Sequence, residues 1–326
     1  MKQRIFGNTG VAVSEIGLGT WQLGTRWGDA FNDAEAKTIL ETAVENGINF
    51  IDTADVYNGG ESEKSIGKFI KTMDNRPYIV TKAGRQLNPH VDAGYTPENI
   101  AGFVDQSLNR MGLEQLDMVL LHCPPSSVYH KDDLFTSLDK LKQAGKIASY
   151  GVSIEKVSEG IQALEYNVSA MEVIFNMFRL KPLEDLFVKT KAANVGIIAR
   201  VPLASGLLTG RYSAQTNFGA DDHRTFNRNG DAFDKGETFS GVPYDMGLQA
   251  VAELKNLFGT EDLIPYALRW ILMHDAISVV IPGASKAEQV LSNVRAAQLP
   301  ALTPEQMAGV EAVYNQYLRA EIHPQW

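Results

Sequence analysis

Short apolar runs alternate with amphipathic segments along most of the chain, the pattern of an α/β fold. In order the runs are EIGLGTW (15–21), NFIDTA (49–54), YIVTKA (78–83), MVLLHC (118–123), SYGVSI (149–154), EVIFNMF (172–178), VGIIARVP (195–202) and SVVIPGA (278–284). Most are nearly continuous in apolar character rather than alternating, which is how strands read when both faces are covered, as in a parallel sheet. Between them lie DAEAKTILETAVENG, ESEKSIGKFIKTM, TPENIAGFVDQSLNRMG and KDDLFTSLDKLKQAG, whose apolar positions have helical spacing and three of which close on glycine, a common helix stop. Thr96-Pro97 adds a capping residue followed by proline at the first helical position. Eight such runs, each followed by a helix or a long connection, predict a closed (β/α)8 TIM barrel, with an open doubly wound sheet as the alternative.

Two regions break the repeat. RIFGNTGVAVS, near the amino end, reads as a β-hairpin turning at Asn8-Thr9-Gly10 that would cap the closed end of the barrel. The span 211–243, rich in Gly, Asn, Asp and Phe, is a long connection after the seventh run, and connections of that length in a compact domain tend to be lids or mobile segments. The last helical pattern, TPEQMAGVEAVYNQYLRA, leaves a carboxy-terminal tail, EIHPQW, able to reach back.

Composition narrows the picture. With 326 residues, 44% of them hydrophobic, and no linker-like stretch, residues 1–326 are expected to form one barrel domain with a large core. A formal charge of −9 speaks against nucleic acid or an anionic membrane as the main partner. The one cysteine cannot form an internal disulfide, the amino terminus has no apolar signal region, and no run has the ~18 residues of a membrane span, so a cytoplasmic location is expected.

In a parallel barrel the carboxy-terminal strand ends carry the chemistry. Asp52 ends the second run, Tyr57 follows in its loop, Lys82 ends the third and His122 the fourth. Singly, each has a structural reading: a buried ion pair, a loop aromatic, a core histidine. Together they could move a proton. An ammonium beside a phenol favours phenolate, an acid would hold that ammonium, and the imidazole could orient a carbonyl oxygen. Such a mouth can protonate a carbonyl oxygen, but no side chain donates hydride. Cys123 beside His122 is no nucleophile pair, because strand neighbours face opposite ways. The sequence has no GxSxG, Walker, HExxH or CxxC motif, and its six histidines are scattered, so no metal site is expected.

Asp52, Tyr57, Lys82 and His122, in this order and at these strand ends, resemble the catalytic tetrad of the aldo-keto reductase superfamily, whose members are (β/α)8 barrels using NADPH or NADH. IDTADVYNGGESEKSIG resembles that family's signature, and VTKAG, LLHCP, YGVS, PLASGLLTGRY and IPGASKAEQVLSN have counterparts there. The resemblance implies a reductase of small-molecule aldehydes or ketones, with Tyr57 as proton donor. An NAD-dependent sugar or polyol dehydrogenase and a cofactor-binding regulatory subunit like the potassium-channel β-subunits are the alternatives.

Carried over residue by residue, the resemblance puts Gly19, Thr20, Trp21 and Asp52 near the nicotinamide and its ribose, and Ser153 at the carboxamide. It puts Pro202, Leu203, Ser205, Gly206, Leu207 and Arg211 along the pyrophosphate, and Gly283, Ser285, Lys286, Gln289 and Asn293 at the adenosine half. Ser285 and Lys286 would suit a 2′-phosphate, favouring NADPH over NADH. Three positions depart from the family pattern: Ile154 where asparagine commonly follows the serine, Glu172 where glutamine is usual, and Arg200 where an aromatic often stacks on the nicotinamide. Substrate choice is expected to rest on Trp21, Trp27, Tyr95, Tyr129 and the tail.

Overall fold

The structure, a computed structural model, describes residues 1–25, 29–71 and 73–326. Strands β1 (Gln3–Ile5) and β2 (Ala12–Ser14) form the expected antiparallel hairpin, which turns through left-handed Gly10 at φ 74°. The barrel strands follow as β3 (Leu18–Gly19), β4 (Phe50–Asp52), β5 (Tyr78–Ala83), β6 (Leu116–His122), β7 (Ile147–Ser153), β8 (Ala170–Ile174), β9 (Gly196–Arg200) and β10 (Ile277–Val280). Each pairs in parallel with the next in a sheet running from β3 to β8, then β9 and β10. The two ends of that sheet meet: Gly17 N donates to Val280 O at 2.8 Å and Gly19 N to Pro282 O at 3.1 Å. Closure leaves the barrel sheet without an edge strand among the described residues, so the doubly wound alternative is set aside.

Helices α1 (Asp33–Glu45), α2 (Glu61–Ile70), α3 (Pro97–Met111), α4 (Asp132–Gln143), α5 (Val157–Ala163) and α6 (Leu186–Ala192) alternate with the strands. The long connection carries the single turn α7 (His223–Phe226), and α8 (Tyr244–Phe258), α9 (Ile264–Leu272), α10 (Ala287–Arg295), α11 (Pro304–Val313) and α12 (Arg319–Ile322) complete the chain. Capping signals act where the sequence put them: Thr96 Oγ1 accepts from Asn99 N at 3.2 Å, and Gly112 ends α3 at φ 65°. Among the described residues no helix is long and apolar enough to cross a membrane.

Period-two alternation inside the barrel decides where the site lies. Phe50, Val80, Leu120, Ala170 and Ile198 belong to one small buried cluster, closed from below by Phe6 and Val13 of the hairpin. Phe6 meets Phe50 and Tyr78 edge-on, and Arg4 donates to the carbonyls of Leu272, His274 and Ile277 between the end of α9 and the start of β10. Two residues beyond each of those five positions, on the same inward phase, come Asp52, Lys82, His122, Glu172 and Arg200. An apolar plug thus carries a layer of ionisable side chains at the mouth.

Some strand limits differ from expectation. The sixth strand covers 170–174 rather than 172–178 and the seventh 196–200 rather than 195–202. Asn176 turns the chain back onto Arg179, and Val201 takes a positive φ of 52°, so the apolar run outlasts the extended backbone in both cases.

Candidate active site

Lys82 is fully buried, and a buried ammonium is tolerated only where carboxylates and acceptors surround it. Its Nζ donates to Asp52 Oδ1 and Oδ2 at 2.6 and 2.7 Å and to Thr53 O at 3.0 Å, and lies 3.3 Å from the Tyr57 hydroxyl. A second carboxylate is also near: Glu172 Oε2 stands 3.4 Å away. Burial alone would lower the Lys82 ammonium, but Asp52 and Glu172 outweigh it and hold the charge on. Asp52 is pushed well above the usual carboxylate range, first by burial and then by Glu172, with Lys82 pulling the other way.

Tyr57 departs from the expectation that Lys82 lowers its pKa overall. Lys82 does pull it down, yet burial is the larger effect, and Asp52, Glu172 and Glu237 add to it, so the phenol is raised above its ordinary value. It is therefore protonated throughout the neutral range and able to donate. His122 packs edge-on to the Tyr57 ring at 6.0 Å, and its Nδ1 is buried without a hydrogen-bond partner. Burial, helped by the charges of Arg85, Lys82 and Arg200, drives its pKa well below the usual histidine value, so the imidazole is neutral and has one N–H to offer.

Above these residues runs a cleft of about 600 Å³. Its lining includes Gly19, Thr20, Trp21, Asp52, Tyr57, Glu172, Arg200, Pro202, Leu203, Ser205, Gly206, Gly283, Ser285 and Gln289, all expected from the sequence. Other expected residues lie elsewhere. Lys82 and His122 form the buried layer beneath. Ser153 is wholly buried with Oγ 3.3 Å from Cys123 Sγ, Leu207 packs in the core, and Asn293 is buried with Nδ2 3.5 Å from Gly283 O. Arg211 and Lys286 are exposed and outside the lining.

Tyr95 and Tyr129 are also not at the mouth: both are buried, with hydroxyls directed at His122 O and Ser153 O, where they brace strand ends. Trp27 lies outside the described residues. Arg224 of the long connection does line the cleft, held by Asp222, and the Trp21 and His223 rings stand 5.1 Å apart.

The Glu172 and Arg200 departures form part of one network. Arg200 Nη2 reaches Glu155 Oε2 at 3.0 Å and Nη1 reaches Glu237 Oε1 at 3.4 Å, while its Nε is 3.9 Å from Glu172 Oε1. Arg85 Nη2 donates to the same Glu237 oxygen at 2.6 Å and to Glu155 at 3.3 Å. Burial works against the Glu237 carboxylate, but Arg85 and Arg200 hold it ionised, whereas burial and repulsion from Glu237 hold the Glu155 carboxyl up despite Arg200.

Cys123, Glu155 and Glu237 have donor atoms within 4.8 Å of one another, yet both carboxylates already face guanidiniums and burial keeps the thiol protonated, so the set suits ion pairing rather than a metal. Sequence reasoning missed Arg85, Glu155 and Glu237. The strand-end rule points to Arg85 and Glu155, which lie just past β5 and β7. Glu237, in an irregular connection, carries no such signal.

The first turn of the β4 loop holds a further buried acid. Burial, then repulsion from Glu63, pushes the Asp55 carboxyl up to about 7. The unfolded chain therefore releases this proton at lower pH than the folded protein, and the associated stability, full in acid, is lost as pH rises towards 7. Asp55→Asn is expected to melt higher than the parent protein above neutrality and near it in acid. Melting curves across pH check this, and a difference independent of pH would contradict it.

A dinucleotide fits the cleft on this chain's own features. Ser205 and Gly206 form a left-handed turn on one wall at φ 52° and 98°, and a Cβ on exposed Gly283 would meet nothing nearer than Gly19 O at 3.9 Å. The α10 amino terminus lies beyond, with Ser285 N bonded to Gln289 Oε1 at 2.7 Å.

Comparisons with known proteins place the chain in a family. The profile of the "Aldo/keto reductase family" matches residues 15–315. An L-galactose dehydrogenase of Arabidopsis thaliana is 30% identical over 95% of this chain and 93% of its own. A rice protein described as "Probable voltage-gated potassium channel subunit beta" (Oryza sativa subsp. japonica) is 24% identical over 96% of both chains. The solved glycerol dehydrogenase of Gluconobacter oxydans superposes with a TM-score of 0.77 at 27% identity, covering 97% of this chain and 96% of that one. The chain belongs to the aldo/keto reductase family and is an NAD(P)H-dependent oxidoreductase of the carbonyl/alcohol pair.

Proposed function

We propose that the protein reduces small aldehydes or ketones with NADPH, with Tyr57 as the proton donor. The observation that carries this reading is Lys82 Nζ, held by Asp52 and 3.3 Å from the Tyr57 hydroxyl at the floor of the cleft. When bound, the reduced nicotinamide supplies the hydride that no side chain here can supply. Neutral His122 donates one hydrogen bond to the carbonyl oxygen and orients it towards Tyr57. As negative charge develops on that oxygen, the Tyr57 hydroxyl transfers its proton, and the resulting phenolate is stabilised by the Lys82 ammonium. Asp52 keeps Lys82 charged and in place. Turnover of a panel of aldehydes, ketones and sugars with NADPH and with NADH tests the reading.

A second reading, oxidation of a sugar or polyol, is supported by likeness to the glycerol and L-galactose dehydrogenases. The complete arrangement of Asp52, Tyr57, Lys82 and His122 favours turnover over a purely regulatory role. Oxidation of glycerol and simple sugars by the same protein with NAD or NADP weighs the two directions.

Cofactor choice turns on the rim. Lys286 is exposed at the N-cap position of α10 beside Ser285, where its ammonium can meet a 2′-phosphate. Lys286→Ala is expected to weaken NADPH a few-fold to about tenfold, less as salt rises, while NADH is nearly unaffected. Titration of both cofactors checks this, and an unchanged affinity ratio would show a solvated lysine without a role in selection.

A further inference from the structure

The carboxy-terminal tail closes on the long connection rather than on the substrate mouth. Trp326 is only 6% exposed, and its Nε1–H donates to Asp234 Oδ1 at 2.9 Å, the same oxygen that accepts from Gly236 N at 2.7 Å. The guanidinium of Arg179 lies 3.8 Å from the indole centroid. Arg179 is itself buried, with Nη2 lacking a hydrogen-bond partner and Nη1 3.5 Å from Ser240 O, so the indole face supplies much of that cation's surroundings. Burial lowers the guanidinium to about 9, which makes a nearby π-face and the Asp234 charge matter more than they would in water. The ring fits only because two glycines face it. A Cβ on Gly241, at φ 81°, would come within 2.2 Å of Trp326 Cη2, and one on Gly236 within 3.1 Å of its Cε2.

The segment so held, 234–241, carries Glu237 into the cleft, where it joins Arg85 and Arg200. The Glu237 carbonyl also accepts from Ser205 Oγ at 3.0 Å, and that same Oγ accepts from Phe239 N at 3.0 Å. Ser205 belongs to the left-handed turn on the cofactor wall. The connection therefore links the indole at one end to the cofactor wall at the other through two short 3₁₀ turns, Lys235–Glu237 and Phe239–Gly241.

We propose that Trp326 is a positioning residue for the cofactor site: by clamping residues 234–241 against Arg179 it holds Glu237 on Arg85 and Arg200 and keeps the wall at Ser205 closed. The inference rests on the NADPH-dependent reading. Without the indole, the connection populates open arrangements, and apparent cofactor affinity falls in proportion to the closed fraction.

The test is Trp326→Ala beside Trp326→Phe, the latter keeping a ring over Arg179 while losing the bond to Asp234. NADPH Kd, KM and kcat, and the rate of tryptic cleavage after Lys235 without cofactor, are measured for each. For Trp326→Ala we expect a Kd and KM for NADPH raised about tenfold, a smaller change in kcat, and faster cleavage after Lys235. Trp326→Phe should fall between the alanine variant and the parent.

Unchanged cleavage and Kd in Trp326→Ala would overturn the proposal. So would faster cleavage with unchanged Kd, since the indole would then hold the segment without acting on the cofactor. Should the parent protein not bind NADPH at all, the functional reading fails, and a cofactor titration shows that separately from the cleavage result.

Discussion

Tyr57→Phe is expected to lower the rate of carbonyl reduction by about a hundredfold to ten-thousandfold, the range a positioned general acid supplies. Cofactor affinity should stay close to the parent value, because the hydroxyl lies over Lys82 and His122 at the floor of the cleft. The phenol is raised above its ordinary pKa by burial, so it is a standing proton donor at neutral pH, and phenylalanine keeps the ring packing against His122 while removing the hydroxyl and with it the proton. Single-turnover rates with NADPH bound, paired with a fluorescence titration of the cofactor, measure the two effects separately. A variant retaining most of the reduction rate would mean that another group donates the proton.

Lys82→Met should be as inactive and much less stable. Its removal leaves Asp52 and Glu172 as two buried carboxylates with no ammonium between them, and breaking a buried ion pair from one side typically costs about 3–5 kcal/mol. The Asp52 carboxyl, already pushed up by burial and by Glu172, would take up a proton once the ammonium is gone, so the loss of stability should be greater at high pH than at low pH. Adding Glu172→Gln to Lys82→Met should recover part of the melting temperature, because one of the stranded charges is gone, without restoring activity. Melting curves and turnover on the single and double variants test this. An active, normally stable Lys82→Met protein would refute the pairing, and equal stability of the two variants would place Glu172 outside it.

The barrel was legible because nearly continuous apolar runs have few solutions other than a doubly covered parallel sheet, and their closure followed from the number of runs. Asp52, Lys82 and His122 stood out for the same reason: a charge at the end of an apolar run is costly enough to need explanation. The distances that make them one unit were not legible, nor was the sign of the net effect on Tyr57, since burial cannot be weighed against one ammonium without knowing what else surrounds the phenol. Glu172 and Arg200 looked like separate departures; the register of β8 and β9 puts them on the same inward phase, where they join a network with Glu155, Glu237 and Arg85. Tyr95 and Tyr129 were misplaced because a tyrosine in a loop reads alike whether its hydroxyl meets solvent or, as here, braces a backbone carbonyl. Glu237 and Trp326 belong to segments without periodicity, where long-range contacts alone decide position.

The most direct test of the central claim is to follow the hydrogen itself. The protein is mixed with NADPH carrying deuterium at the nicotinamide C4 and with a small aldehyde, and the alcohol is analysed for label. The account predicts deuterium on the carbinol carbon of the product, with the hydroxyl proton drawn from solvent through Tyr57, and loss of that product in Tyr57→Phe. Tight binding of NADPH with no labelled alcohol from any carbonyl tried would contradict it and would favour a binding role for the barrel.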